Sequence, residues 1–336
     1  MPAPAAPGPL GAVVHPLAVA TCDLDRGVVL GRTPFILPLH LGHECVGEVT
    51  AVGSAVTSAQ VGQRVVVPFQ ISCGTCRSCR VALTSNCLSV PPISMYGLGL
   101  AAGHWGGAYA DELAIPFADG MLVPLPSGVD PAAAASVADN VSDAFRHVSP
   151  HLPQLLARDT DARVLIIGSL QARVPFSGSV PLYTAQAALA LGARHVQLVD
   201  ARPDIRSHAQ RLGIEALQPQ TLRRLPLALL VAEISFTPRG LASGLAKTAP
   251  DGVVSSSGML HSRATVPTTL MYGRNVTLHL GRSNTRTLIP QVLELMVAGR
   301  LHPADVTTLN GPLEDAPAVL REHILSGTTK TVLTQP

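Results

Sequence analysis

The stretch VLIIGSLQARVPFSGSVPLYTAQAALALGARHVQLVD, residues 164–200, decides the fold. VLII is a short apolar run of the kind a buried strand needs, and TAQAALALGA is rich in the good helix formers Ala and Leu. HVQLVD begins a second apolar run, so the unit reads strand, helix, strand. HAQRLG, LALLVAEI, GLASGLAKTAP and GVVSSSG continue the alternation, and NVTLHLG adds a further strand. Strands alternating with helices predict one doubly wound parallel sheet.

Outward from that core the texture differs. The first 140 or so residues are rich in Val, Gly and Pro, and segments such as VGEVTAVG and QRVVVPF alternate as short strands closed by turns. The tail after about residue 283 carries two amphipathic helical patterns, IPQVLELMVAGRL and one near EDAPAVLREHIL. No internal repeat is visible, and the Pro-rich first ten residues are expected to lack order.

Bulk numbers bound the function classes. The chain has 336 residues, enough for two domains, with 47% apolar and only 14% charged residues. So little charge points to a large buried fraction and to association between copies. The net charge of +2 and 3% aromatic residues exclude a basic, aromatic-studded nucleic-acid surface. No apolar run approaches the length of a membrane span. The apolar start MPAPAAPGPLGAVVHPLAVATC lacks a basic leader and is interrupted by Pro and His, so it does not read as a signal peptide. A cytoplasmic enzyme is the expectation, in which six cysteines serve as thiols or metal ligands rather than disulfides.

Four of those cysteines are clustered. SCGTCRSCRVALTSNC places Cys73, Cys76, Cys79 and Cys87 at C-x2-C-x2-C-x7-C. Four thiolates at such intervals can close a tetrahedron around zinc, and with no open position the site is structural. Disulfides or ordinary buried thiols are the plainer readings, but a reducing compartment disfavours the first and the tight spacing the second. Cys22 and Cys45 remain, within TCDLD and LGHECVGEV. Cys22 and His43 are candidates for two of the three protein ligands that a catalytic zinc needs, and Asp25 for a hydrogen bond to the other ring nitrogen of His43. Taken alone, that pair also reads as a buried Cys and a turn His.

The order of features removes that ambiguity. Cys22, a GHE twenty-one residues on, the four-cysteine lobe and a dinucleotide-type domain together resemble the zinc-containing medium-chain alcohol dehydrogenases, from about Val13 to Leu333. The resemblance implies a GroES-like catalytic domain, residues 1–142 and 283–336, interrupted by a Rossmann dinucleotide-binding domain, residues 143–282. It puts Cys22 and His43 on two catalytic zinc ligands and Glu44 on the glutamate beside them. The third ligand is Cys or Asp in the family; here VADNVSDAF offers Asp139, with Asp143 as competitor, while Cys45 reads as a small core residue. Two zinc ions per chain are implied, one catalytic and one structural. The implied chemistry is reversible hydride transfer between NAD(H) and a small alcohol or carbonyl substrate, in a homodimer or homotetramer.

The sequence departs from the family in four places. Leu24 stands where many members have a proton-relaying Ser or Thr, so the proton needs another route, with His40 a candidate. Asp143 stands where a Thr is usual beside the nicotinamide. Only 21 residues precede Cys22, which predicts shortened or replaced first strands. The glycine pattern of the phosphate turn fails when counted forward from Gly168. Counted back from the helix, SVPLY aligns Gly178 with the second glycine and Pro181 with the third, leaving about eight surplus residues in the loop.

Gly178, Ser179 and Val180 are then the expected diphosphate cradle, with Arg173 able to reach a phosphate. Asp200, ending the second strand, is expected to accept the ribose hydroxyls and favour NAD over NADP, although Arg202 leaves room for NADP. Gly258 is expected at the nicotinamide half and Lys330 at the diphosphate. Two rivals stand beside the dehydrogenase. One is a biosynthetic family member performing imine or alkene reduction or a zinc-assisted non-redox step. The other is a catalytically silent zinc-bound scaffold.

Overall fold

The computed structural model describes residues 6–35, 37–98, 105–258 and 263–335. They divide into two compact units. One comprises Met1–Ser142, Pro175–Ser177 and Ser283–Pro336; the other comprises Asp143–Val174 and Gly178–Arg282.

The first unit is built on a seven-stranded sheet. Its path runs Leu309–Pro312, Thr331–Thr334, Ala12–Ala20, Glu44–Val52, Arg64–Val67, Val123–Pro124, with Leu113–Ile115 also pairing with Ala12–Ala20. Neighbours are antiparallel except for Leu309–Pro312 and Thr331–Thr334, which run parallel. The nine-residue strand Ala12–Ala20 is therefore central to this sheet. Its register with Glu44–Val52 slips between Pro16 and Ala18. Pro16 has no N–H to donate, and a slip next to it lets the ladder resume without an unpaired donor. Val14, Val19, Cys45, Val49, Val65 and Val67 point into one apolar core with Ile71, Tyr96, Met121 and Leu333. Residues 6–10, expected to lack order, are placed: Gly11 N donates to Gly8 O (2.9 Å) and Ala55 N to Pro9 O (2.9 Å). Residues 1–5 lie outside the described residues.

The second unit is a six-stranded sheet in which every neighbour is parallel. Its order is Thr277–Leu280, Thr248–Ser256, Ala228–Glu233, Arg163–Ile167, His195–Val199, Glu215–Leu217. Counted from Arg163–Ile167 as the first strand, that is the order 3-2-1-4-5-6 of a Rossmann sheet. Strands covered on both faces read as unbroken apolar runs, which is why VLII and LLVA show no alternation. Leu165, Ile167, Val199, Val231, Leu241, Leu245 and Val254 form the core on one side of this sheet. Strand order reverses about Arg163–Ile167, so the loop after Ile167 lies at the switch point where such sheets bind ligands. No helix among the described residues is long and apolar enough to cross a membrane.

Candidate metal centres and dinucleotide site

Cys22 follows the strand Ala12–Ala20 directly, and the chain turns at once into the helix Asp25–Val29. In that turn Asp25 N donates to Cys22 O (3.1 Å) and Cys22 N donates to Asp25 Oδ2 (2.9 Å). His43 and Glu44 come at the start of the neighbouring strand Glu44–Val52, after Gly42. Gly42 has φ +92°, and a Cβ there would stand 2.7 Å from Tyr109 N, so the first letter of GHE is a backbone requirement. Asp139 ends the 3-10 turn Ala135–Ala138, just before the helix Asn140–Arg146.

These segments bring Cys22, His43, Glu44 and Asp139 together, with one ligand atom from each within 4.8 Å of the others and all four residues buried. Asp139 Oδ2 is the hub. It lies 3.2 Å from His43 Nε2 and 3.5 Å from Cys22 Sγ, and accepts from Asn140 Nδ2 at 2.9 Å. The Phe69 ring packs beside His43, with centroids 5.7 Å apart. A soft thiolate, an imidazole and a carboxylate are the donor types zinc takes. Two polar atoms here, His43 Nδ1 and Glu44 Oε1, are buried without a hydrogen-bond partner. A set so costly to bury unpaired fits a cation.

The electrostatics agree. Burial, then the nearby charges of Asp139, Asp25 and Glu44, push the Cys22 thiol well above its ordinary value. Burial pushes Glu44 up to about 8, only partly offset by Lys330. Burial works against a charged His43, yet the Asp139 hydrogen bond and the surrounding carboxylates raise it. A divalent ion bound here would take Cys22 as thiolate and His43 as neutral imidazole, displacing their protons to solvent.

Asp143, the competitor for the third ligand, lies outside this cluster; its carboxylate pairs with Arg146. Asp25 is also placed otherwise than expected. Its Oδ2 caps Cys22 N, while its Oδ1 and His43 Nδ1 are both without partners. The Asp25–His43 hydrogen bond is therefore not made, because the tight turn gives the carboxylate a nearer donor. Leu24 is buried and His40 is exposed.

Lys330 needs the largest correction. It is fully buried, and its Nζ donates to Glu44 Oε2 (2.6 Å), to Asn140 Oδ1 (3.0 Å) and to Thr21 O. Its ammonium belongs to the metal cluster, because a buried lysine must have a counter-charge and Glu44 supplies it. Sequence reasoning missed Asn140 altogether. Its amide donates to Asp139 Oδ2 and to Cys22 Sγ (3.4 Å) and accepts from Asp23 N (3.2 Å) and Lys330. The only signal was its position beside Asp139.

In the cysteine lobe Cys73, Cys76, Cys79 and Cys87 also lie with their sulfurs within 4.8 Å of one another. All six cysteines are free thiols. Backbone N–H groups point at the sulfurs: Cys76 N to Cys73 Sγ (3.3 Å), Cys73 N to Cys87 Sγ (3.3 Å) and Leu88 N to Cys76 Sγ (3.4 Å). Burial opposes ionisation of Cys73, but donors from Ser89, Thr75 and Cys76 hold it down to about 5. Four sulfurs with amide donors fit a closed structural zinc. Cys45, by contrast, is a core residue pushed up to about 12 by burial.

In the second unit the helix Ser179–Ala190 starts after Gly178, which is its N-cap and offers no side-chain cap. A Cβ on Gly178 would stand 2.5 Å from Ile205 Cδ1 and 2.9 Å from Arg202 Nη2, so a side chain there would have to push these ends aside. Pro181 sits in the helix's first turn, where its missing N–H costs nothing. Ser179 and Val180 are buried in that turn, and Arg173 is exposed. Gly258, after the strand Thr248–Ser256, has φ +54°. The surplus loop residues Pro175–Ser177 cluster with the first unit, where Ser177 N donates to Asp23 O (3.0 Å). The sheet order and Gly178 fit a dinucleotide's diphosphate. Asp200 is another matter: its carboxylate is fully buried and bonded to Arg202 and Ser169 N. It is not presented to a ribose as the sequence led one to expect.

Comparison with known proteins follows the same lines. Residues 8–127 match the alcohol dehydrogenase GroES-like domain. A solved alcohol dehydrogenase from Thermus sp. ATN1 is 29% identical, with a TM-score of 0.89 over 100% of this chain and 95% of that one. The chain is a zinc-type medium-chain dehydrogenase/reductase. Within that family, a probable zinc-binding alcohol dehydrogenase of Mycobacterium tuberculosis is 29% identical over 94% of this chain and 79% of its own length. A glutathione-independent formaldehyde dehydrogenase of Pseudomonas aeruginosa is 31% identical over 73% of this chain and 63% of its own.

Proposed function

We propose that this family member is a zinc-dependent oxidoreductase that moves a hydride between a nicotinamide dinucleotide and a small alcohol or carbonyl compound. The buried Cys22, His43, Asp139 and Glu44 cluster carries the reading. Cys22, His43 and Asp139 would hold the metal. Zinc there would supply Lewis acidity to the substrate oxygen. Lys330 holds one oxygen of Glu44, which would favour Cys22, His43 and Asp139 as the metal's three protein ligands and leave a position for substrate. The Phe69 ring, tilted at 50° beside the imidazole, limits how His43 can turn. Leu24 offers no hydroxyl, so the substrate proton would have to leave by water, by another side chain or by the substrate itself.

A second copy is part of the reading. The edge strand Thr277–Leu280 leaves Leu280 54% exposed, and Tyr272 before it is 89% exposed. An open strand edge flanked by apolar side chains favours a homodimer. Six free thiols favour a reducing, cytoplasmic setting.

The test is a panel of alcohols and aldehydes, scored by reduction or oxidation of the nicotinamide, with Cys22→Ser alongside. Turnover lost in Cys22→Ser, with metal content falling from two zinc ions to one, is the expected result. Two zincs retained by Cys22→Ser would remove the catalytic site. Leu24 is what favours the second reading, a biosynthetic reductase or non-redox enzyme; turnover of the panel alcohols disposes of it. A silent scaffold would not need a metal set with one ligand held back.

A further inference from the structure

A strand inside a parallel sheet is expected to be apolar, yet Thr248–Ser256 runs out in three buried serines, Ser255, Ser256 and the following Ser257. Successive residues point to opposite faces, and the serines divide accordingly. Ser256 Oγ donates to Glu233 Oε2 (2.6 Å), while Ser255 Oγ and Ser257 Oγ meet the two ring nitrogens of His147, Nδ1 at 2.9 Å and Nε2 at 3.1 Å. His147 is fully buried. One nitrogen of a neutral imidazole donates and the other accepts, and a hydroxyl can do either, so this chain of bonds can run in both directions. Asp143 Oδ2 lies 3.9 Å from Nε2, and its other oxygen accepts from Arg146. Burial first, then the charges of Arg146, His279 and His151, hold His147 well below the ordinary histidine range, against the bond to Ser255.

Two more imidazoles lead outward. Asp143, His147 and His151 recur at every fourth residue, and turn bonds carry the helix past Arg146, with His147 N donating to Ala144 O (3.2 Å) and Val148 N to Phe145 O (3.1 Å). The His151 ring meets that of His279 edge-on, centroids 5.5 Å apart, and His151 Nε2 is buried without a hydrogen-bond partner. Burial, then His279, holds His151 down as well. His279 is exposed and stands in register with Ser255 on the neighbouring strand.

We propose that His147 is a proton relay for the hydride reaction, carrying the proton between Asp143, four residues after Asp139 in the helix Asn140–Arg146, and the protein surface at His279. The inference rests on the dehydrogenase reading above. Alcohol oxidation releases one proton for each hydride moved, and Leu24 gives that proton no hydroxyl. His147 Nε2 binds the proton that Asp143 gives up, Nδ1 passes its own to Ser255 Oγ, and the Ser255 hydrogen moves on towards His279 and solvent. One N–H or O–H bond forms for each that breaks, so no further reactant is needed. The reverse sequence serves carbonyl reduction. An imidazole that burial keeps neutral does not trap the proton it carries.

The experiment compares alcohol oxidation by the zinc-loaded protein with that by His147→Gln, whose amide can bond to serine but cannot relay a proton, and by His279→Asn at the exposed end. With zinc content and nucleotide binding retained, turnover near neutral pH should fall about 100-fold in His147→Gln, the lower end of what a positioned acid–base group supplies, and less in His279→Asn. The loss should shrink as pH rises or as imidazole is added, because a small base then takes the proton by another way. A purely structural role would lower turnover equally at every pH, with or without imidazole. Should His147→Gln fail to fold, His279→Asn carries the same test on the surface. Nitrogen NMR of the zinc-loaded protein should show the His147 ring exchanging between its two neutral tautomers. Unchanged turnover in the variants, a loss indifferent to pH and imidazole, or a ring fixed in one tautomer overturns the relay and leaves the dehydrogenase reading in place. No turnover of any alcohol or aldehyde by the unaltered protein overturns both.

Discussion

Asn140 shows how much a single amide can organise. Its Nδ2 reaches Asp139 and Cys22 while its Oδ1 takes Lys330, so one side chain ties two candidate ligands to the cation that restrains Glu44. Hydrogen bonds of this kind orient metal ligands, and losing one costs about 10–100-fold in affinity. Asn140→Leu should therefore loosen the catalytic zinc by about that factor in a chelator competition, while the cysteine lobe keeps its metal. Cobalt in place of zinc should show a shifted thiolate absorption, since the Cys22 sulfur loses its donor. His323 sets a different test. Its Nδ1 lies 2.9 Å from Thr331 Oγ1 and its Nε2 3.3 Å from Ser177 Oγ, and burial, then Lys330 and Arg26, bring it down to about 4. A depressed folded value means that its stability contribution is present above the ordinary histidine range, near 6.5, and is lost as pH falls towards 4. Melting temperatures of His323→Asn against pH should fall less steeply across that window than those of the unaltered protein.

At the scale of elements, the cysteine lobe and the first Rossmann strand make contrasting demands. The lobe has a helix of only four residues, Arg77–Arg80, and one 3-10 turn, Thr84–Asn86, too little to hold its own shape without a ligand. Cys76→Ser should release one zinc ion and open residues 73–87 to rapid amide exchange, with Cys22 and His43 still metal-bound. The strand Arg163–Ile167 is instead held by packing: Val164, Leu165, Ile166 and Ile167 are all buried. Ile167→Ala should cost about 2–5 kcal/mol, read as a lower urea midpoint at unchanged metal content. The elements themselves were legible, because VLII, HVQLV and LLVA announce parallel strands and the flanking Ala- and Leu-rich runs announce helices. The surplus loop was not: nothing in SLQARVPFS says that Pro175–Ser177 join the other unit, which depends on a Ser177–Asp23 contact far apart in sequence.

For the whole molecule, sequence spacing identified the cysteine lobe, since Cys73 to Cys87 are local, and the resemblance to a family pattern supplied Cys22, His43 and Asp139. It also marked the strand order's raw material and the glycine at the phosphate turn. What it could not decide were the partners of the charged groups. Lys330 was read as a diphosphate ligand and Asp200 as a ribose acceptor, and in the fold each meets an opposite charge instead, Glu44 and Arg202. The reason is physical. A ligand set or a buried strand is defined by residue type and interval, which the chain carries along its length. The partner of a buried charge is whichever opposite charge the packing brings within about 3 Å, and low dielectric makes that choice binding. Lys330 and Glu44 are 286 positions apart, so only the tertiary structure could introduce them.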